Sequence, residues 1–162
     1  NHTLVVIDQS VSNSEHEYEL NWHFDKEIDF DLEQNSLHLR DENETIGFVE
    51  FFVDSDVEQN VWRGSEDPFR GWTIDGYEEL NSTDNWGIKT NSLAKQFQSV
   101  TVFSLTEDRP IVEILNDDYN NLVIRITVEN EVWQLEAENT TMFNSIFQDL
   151  TSFNVTSQDV EL

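Results

Sequence analysis

Alternation with a period of two residues runs through most of this chain, and it restricts the possible folds more than any other feature. In residues 16–24, HEYELNWHF, the side chains of Tyr18, Leu20, Trp22 and Phe24 fall on one face, and Glu17, Glu19, Asn21 and His23 on the other. That pattern belongs to a half-buried strand. Residues 36–40 (SLHLR) and 45–54 (TIGFVEFFVD) read as a hairpin across the turn DENE. Residues 99–105, 110–115, 121–128 and 131–137 continue the pattern, with DDYNN and EN as the turns between the last three. TLVVID, residues 3–8, is a short apolar run, and QSVSNSE after it reads as a polar loop. Short strands at roughly dozen-residue spacing, rich in β-branched and aromatic residues, predict an all-β fold, an antiparallel β-sandwich of stacked sheets. One segment departs from period two. In residues 141–153, Met142, Phe143, Ile146, Phe147 and Leu150 recur at helical spacing, which fits one short C-terminal helix or a last strand equally well. The length of 162 residues fits a single sandwich domain over 1–162.

The charge is one-sided. Against 34 acidic residues stand 8 basic ones, a formal net charge of −26. Such a surface repels polyanions, which excludes nucleic acid and anionic membranes as partners. Lys occurs only at 26, 89 and 95. Acid-rich, Lys-poor composition resembles proteins of salt-loving organisms, where a Debye length of about 3 Å in 1 M salt silences the self-repulsion. The rival expectation is a calcium-loaded extracellular domain. Asp54-Ser55-Asp56 and Asp117-Asp118 invite that reading, but neither has EF-hand spacing, and both read as solvated turns. The chain has no Cys, hence no thiolate chemistry. Five Asn-x-Thr sequons, at Asn1, Asn43, Asn81, Asn139 and Asn154, fall within what an Asn- and Thr-rich chain contains by chance. No apolar run reaches membrane-spanning length, and no nucleophile-elbow, P-loop or dinucleotide fingerprint is present.

The scarcest residues gather in VWRGSEDPFRGW, residues 61–72. This stretch holds two Trp, two Gly, one of two Pro and two of the eight basic residues. Gly64 and Gly71 permit backbone angles that other residues avoid, and Pro68 pushes Asp67 towards extended geometry. On these properties the stretch is an ordered loop between strands, pinned by Trp62 and Trp72, with Glu66 or Asp67 pairing with Arg63 or Arg70. The alternative role is contact with a glycan. Trp62, Trp72, Trp86 and Tyr77 would stack on sugar rings, and five of the eight basic residues (Arg63, Arg70, Lys89, Lys95 and Arg109) would attract an anionic polysaccharide.

Residues 63–77, RGSEDPFRGWTIDGY, resemble a recurring segment in the C-terminal part of heparinase II/III-like polysaccharide lyases. There an Arg-Gly-x-Glu-x-Pro-x-x-Gly-Trp loop is followed shortly by a Tyr. The flanks agree in order: residues 4–24, LVVIDQSVSNSEHEYELNWHF, are similar to the family's strand, Asp, loop and strand ending in Trp-His-Phe, and residues 99–105 to its closing strand. The resemblance spans residues 4–105. It implies a parent protein with an N-terminal α/α toroid and a C-terminal domain of stacked sheets, which cleaves uronate-containing glycans by β-elimination. That reaction needs a group to neutralise the carboxylate, a base for the C5 proton and an acid for the leaving oxygen. In the family these are Asn, His and Tyr residues of the toroid and the first part of the β domain, and a structural divalent metal there is held by a His-x-His run, an Asp and a later His.

None of the histidines here, His2, His16, His23 and His38, matches those motifs. The chain is therefore expected to be the distal, supporting portion of such a lyase, inactive by itself, with no catalytic residue, metal ligand or cofactor of its own. Its expected partner is the toroid of the same chain, with Trp62, Arg63, Arg70, Trp72 and Tyr77 as the glycan-contacting or loop-structuring residues. The alternative is a free-standing carbohydrate-binding or cell-surface structural sandwich of a halophile. An extracellular or cell-envelope location fits either.

Overall fold

The computed structural model describes residues 2–76, 79–138 and 152–159. The chain divides into two compact units, Thr3–Glu107 and a second that takes in Asn1–His2 and Asp108–Leu162. Among the described residues every element is a strand, and every pairing between them is antiparallel.

The first unit is the sandwich. Its larger sheet has the order β1-β12-β5-β4-β3, formed by β1 (Thr3–His16), β3 (Ile28–Glu33), β4 (Ser36–Asp41), β5 (Glu44–Val53) and β12 (Ala94–Ser104). The smaller has the order β2-β11-β6, from β2 (Glu19–His23), β6 (Val57–Arg63) and β11 (Asp84–Thr90). Two short ribbons complete it: β7 (Ser65–Glu66) with β8 (Phe69–Arg70), and β9 (Trp72–Gly76) with β10 (Glu79–Ser82).

Period two sorts the side chains between the layers. Leu37 and Leu39 of β4 and Val49 and Phe51 of β5 face Trp86 and Ile88 of β11, and all six are buried. Trp22, Phe24, Ile28, Phe30, Ile46, Val53, Val57 and Phe103 close the rim of this core. Trp86 is fully buried, edge-on to Phe51 at 4.7 Å, and its Nε1 donates to Gln59 Oε1 at 3.3 Å. An indole can sit at a core centre only if its N–H finds such an acceptor.

The β4–β5 hairpin turns at Glu42 and Asn43, both with positive φ (45° and 75°), the signature of a two-residue turn matched to strand twist. β1 differs from expectation. The polar stretch after residue 8 is strand, not loop: β1 stays paired with β12 through Val11↔Gln96 and, after a register break, rejoins at His16↔Ala94. As an edge strand it gains half of its ladder bonds and exposes one side to water, so polar residues suffice there.

The second unit is a four-stranded meander, β13 (Ile111–Asp118), β14 (Asn121–Val128), β15 (Glu131–Glu138) and β16 (Ser152–Asp159). Leu122, Ile124, Ile126 and Val128 are buried along one face of β14, and Leu135 and Ala137 of β15 join them. Of the segment expected to be helix or last strand, residues 152 and 153 belong to β16, and 141–151 lie outside the described residues.

Candidate functional site

The stretch 61–72 leaves the smaller sheet at the end of β6, loops through two ribbons and returns to β11. Gly64 and Gly71 both sit in the left-handed region, at φ 58° and 72°. They face each other: Gly64 N–H donates to Gly71 O at 2.8 Å, and Thr83 N–H donates to the same oxygen at 2.9 Å. One carbonyl thus ties both ends of the loop, since Thr83 leads into β11. The approach is close. A Cβ on Gly71 would lie 2.7 Å from Trp62 O, 2.8 Å from Thr83 O and 2.9 Å from Arg63 Cα. Asp67–Pro68, at the tip, is a cis peptide.

The two tryptophans have different roles. Trp62 lies on the outer face of the smaller sheet, against Gly87 of β11, where any Cβ would collide with its ring. Arg70 lies over its ring, with the guanidinium carbon 4.5 Å from the ring centroid. Arg70 in turn pairs with Glu19 and donates to Asn21 Oδ1 at 2.6 Å. Backbone, indole, guanidinium and carboxylate therefore form one continuous stack. Trp72 packs within the loop instead. Its Nε1 donates to Ser65 O at 2.8 Å, its ring rests near Gly64, and Phe69 stacks parallel to it at 5.9 Å. It is half-buried and stands outside the core cluster.

The charges are met from other strands, not from Glu66 or Asp67 as the sequence suggested. Arg63 reaches Asp29 of β3 at 3.3 Å and Asp84 of β11 at 3.4 Å. Lys89 reaches Glu17 at 3.0 Å. Long-range partners win because the loop folds back over the sheet and carries its cations onto β2, β3 and β11. The hydrogen bond from Arg70 holds the Glu19 carboxyl below its ordinary value, and Glu19 raises Arg70 in return. Burial pushes Asp84 up, against the opposing pull of Arg63 and with a further push from Asp29.

The structure thus brings Trp62, Arg63, Arg70 and Trp72 into one clasp, while Tyr77 lies outside the described residues. Trp62, with Arg70 over its ring and Gly87 against its ring atoms, is built into the clasp, and Trp86 is core. Gly87, Glu19, Asn21, Thr83 and Asp84 complete the clasp without having been singled out from sequence. Only Gly87 carried a signal, a glycine inside a strand, which marks close approach by another group. Among the described residues no three His, Asp or Glu side chains converge as a metal site. Comparison with family models, curated proteins and solved structures finds no match for this chain.

Proposed function

We propose that this chain is the distal β-sandwich portion of a heparinase II/III-like polysaccharide lyase, supporting an N-terminal α/α toroid and not itself catalytic. The reading rests on the residue pattern of 63–77 and its flanks, and on one structural observation. The loop that carries the pattern spends its own arginines, glycines and tryptophans on holding itself to the smaller sheet. A loop whose cations are already paired and whose indoles are already packed is suited to presenting a fixed surface, not to proton transfer. Uronate chemistry and any structural divalent metal then reside in the toroid and the first part of the β domain. The acidic composition fits a halophilic parent.

The test has two arms. The isolated chain, incubated with alginate, heparin, heparan sulfate and hyaluronate, is expected to yield no unsaturated uronate product by ultraviolet absorbance. Sustained turnover of any of them overturns the supporting role. The coding sequence upstream is expected to specify an α/α toroid with Asn, His and Tyr motifs. A start codon and signal peptide directly before residue 1 overturn the lyase reading.

That second outcome would select a free-standing carbohydrate-binding or cell-surface sandwich, a reading with one observation in its favour. Phe69 is 66% exposed on top of Trp72, and Ile74 of the adjoining ribbon is 73% exposed. Loss of glycan binding on Phe69→Ala would support it.

A further inference from the structure

The larger sheet has two edges, β1 and β3, and the sequence treats them differently. A sheet edge presents a row of N–H and C=O groups that can template another strand, and folded proteins blunt it with short length, charge, Pro or a bulge. β3 is blunted: it is six residues long, and Asp29, Asp31 and Glu33 take every second position. The edges of the smaller sheet are also short, five residues in β2 and seven in β6, and carry Glu19 and Glu58. β1 lacks these protections. It runs for fourteen residues, its one strand neighbour among the described residues is β12, and the pairing keeps register without a break from Thr3 to Val11. That run, TLVVIDQSV, contains no Pro, Gly or Lys and a single charge, Asp8.

Charge and register together point to what fits this edge. The chain carries 34 acidic residues in 162, yet only one between positions 3 and 14, so β1 is a neutral window in a body of net charge −26. Two copies repel each other through most of their surface and least through β1. Leu4 is 59% exposed and Val11 42%, near the two ends of the run. When a strand pairs antiparallel with its own copy in one continuous sheet, opposed side chains share a face, so the two-fold axis falls on a residue. An axis at Ile7 pairs the whole run. Leu4 then meets Ser10 of the other copy, Val11 meets Thr3, and Asp8 meets Val6. An axis at Asp8 would set two carboxylates face to face, and one at Val6 would pair a shorter part of the run.

We infer that β1 is a dimerisation edge, where two copies of this chain pair β1 with β1 about a two-fold axis at Ile7 and join two five-stranded sheets into one of ten strands. Main-chain hydrogen bonds hold the contact, as in other interfaces made by strand addition. The contact is isologous and closes on itself. Growth of the joined sheet also stops there. Its outer strand on either side is β3, whose alternating carboxylates resist a further strand. Salt strengthens the dimer, because −26 charges on each copy oppose it until screened. The inference stands apart from the lyase reading, and either can fail without the other.

The test is sedimentation velocity on the whole chain over a wide range of protein concentration, at high and low KCl. A monomer–dimer equilibrium is expected, with a Kd of order 10 µM in multimolar KCl and at least about tenfold weaker at the lowest salt that keeps the chain folded. Ile7→Lys, which sets two ammonium groups face to face, and Leu4→Lys, at an exposed position, should each weaken it about tenfold or more. Leu4→Lys carries the test if Ile7→Lys does not fold. Leu32→Lys makes the same charge change on β3 and should leave the dimer unchanged. The chain has no Cys, so single introduced cysteines read the register. Directly opposed residues of an antiparallel pair have Cα atoms about 4.5–5.5 Å apart, within disulfide reach. Ile7→Cys should therefore oxidise to a covalent dimer. Leu4→Cys should not, because its two copies stand about 20 Å apart along the strands. Monomer alone at every concentration and salt overturns the inference. So does a main species larger than a dimer, association untouched by Leu4→Lys or lost equally in Leu32→Lys, or a cross-link at position 4 in place of position 7.

Discussion

Replacing Gly71 by alanine tests whether the clasp is the rigid device described here. Two costs combine. At φ 72° a β-carbon meets the following carbonyl, worth about 1–2 kcal/mol. The new atom would also lie within 3 Å of Trp62 O, Thr83 O and Arg63 Cα. All three are backbone of β6 and the β11 approach and cannot swing aside, so overpacking adds about 1–3 kcal/mol. Movement to relieve the clash strains the bonds from Gly64 N–H and Thr83 N–H to Gly71 O. A loss of about 3–5 kcal/mol is expected. Gly64→Ala shares the left-handed penalty but meets only side-chain atoms of Ser82 and Trp72, at 3.1–3.3 Å, so about 1–3 kcal/mol is expected. Gly76→Ala meets nothing nearer than Glu79 Oε2 at 3.5 Å, and should be neutral or gain about 0.4–1 kcal/mol through the unfolded chain. Urea titration followed by tryptophan fluorescence reads the first unit in a Trp133→Phe background, since Trp22, Trp62, Trp72 and Trp86 lie in that unit and Trp133 in the second. The midpoints, compared at shared m-value, should fall in the order Gly76, Gly64, Gly71. A Gly71→Ala midpoint within about 1 kcal/mol of the parent would refute the argument, because it would mean the loop yields where it is described as fixed.

Four further outcomes are expected. Trp86→Ala should cost about 3–5 kcal/mol as a core deletion and Trp72→Ala only about 1–2, measured by the same titration. Asp8→Asn should raise the melting temperature at neutral pH. Its folded-state pKa is raised, so the wild-type penalty is relieved as pH falls through that value, and the advantage of the variant should vanish below about pH 4. Glu19 has the opposite sign: its depressed pKa contributes stability that is present above the ordinary glutamate value and lost as pH falls through the folded one. Arg70→Met should flatten that acid-side loss in a pH series of melts. Finally, the melting temperature should climb from low to multimolar KCl, because −26 charges repel until screened. Saturation by micromolar calcium at low ionic strength would instead assign the compensation to bound cations.

The strands that were legible are those with one wet face. β4 and β14 alternate between more and less buried positions, and polar turns separate β4 from β5 and β13 to β15 from one another, so period two and turn chemistry agree, although β5 is buried on both sides at Val49, Glu50 and Phe51. β11 was not legible, although it is the centre of the smaller sheet. Its residues Asp84 to Thr90, DNWGIKT, are buried on both faces except for Lys89, and Asn85, Gly87 and Lys89 supply the outer side, while Asp84 and Thr90 share the inward face with Trp86 and Ile88. A strand roofed by a loop shows no alternation of hydrophobic and polar, because polar groups on the roofed side are satisfied by the roof. On that side Gly87 lies against the Trp62 ring, and the Asn85 amide donates to Trp22 O of β2 at 3.0 Å. The polar half of β1 escaped notice for the reverse reason, since an edge strand can be held by ladder bonds with little hydrophobic signal.

The candidate site divides in the same way. That residues 61–72 form a structured loop could be read from the coincidence of Gly, Pro and Trp, because each of those residues restricts the backbone or demands packing locally. Which groups the loop grips could not, because Gly87, Glu19 and Asp84 lie far from it in sequence and are joined to it only by the register of β11 with β2 and β6. That register also decides what Trp62 is. On an open sheet it would be an exposed ring able to take a sugar; paired where it is, it covers Gly87 and is covered by Arg70. The aromatic residues with room beside them are elsewhere, at Phe69 and at the stacked Tyr18–Phe97 pair.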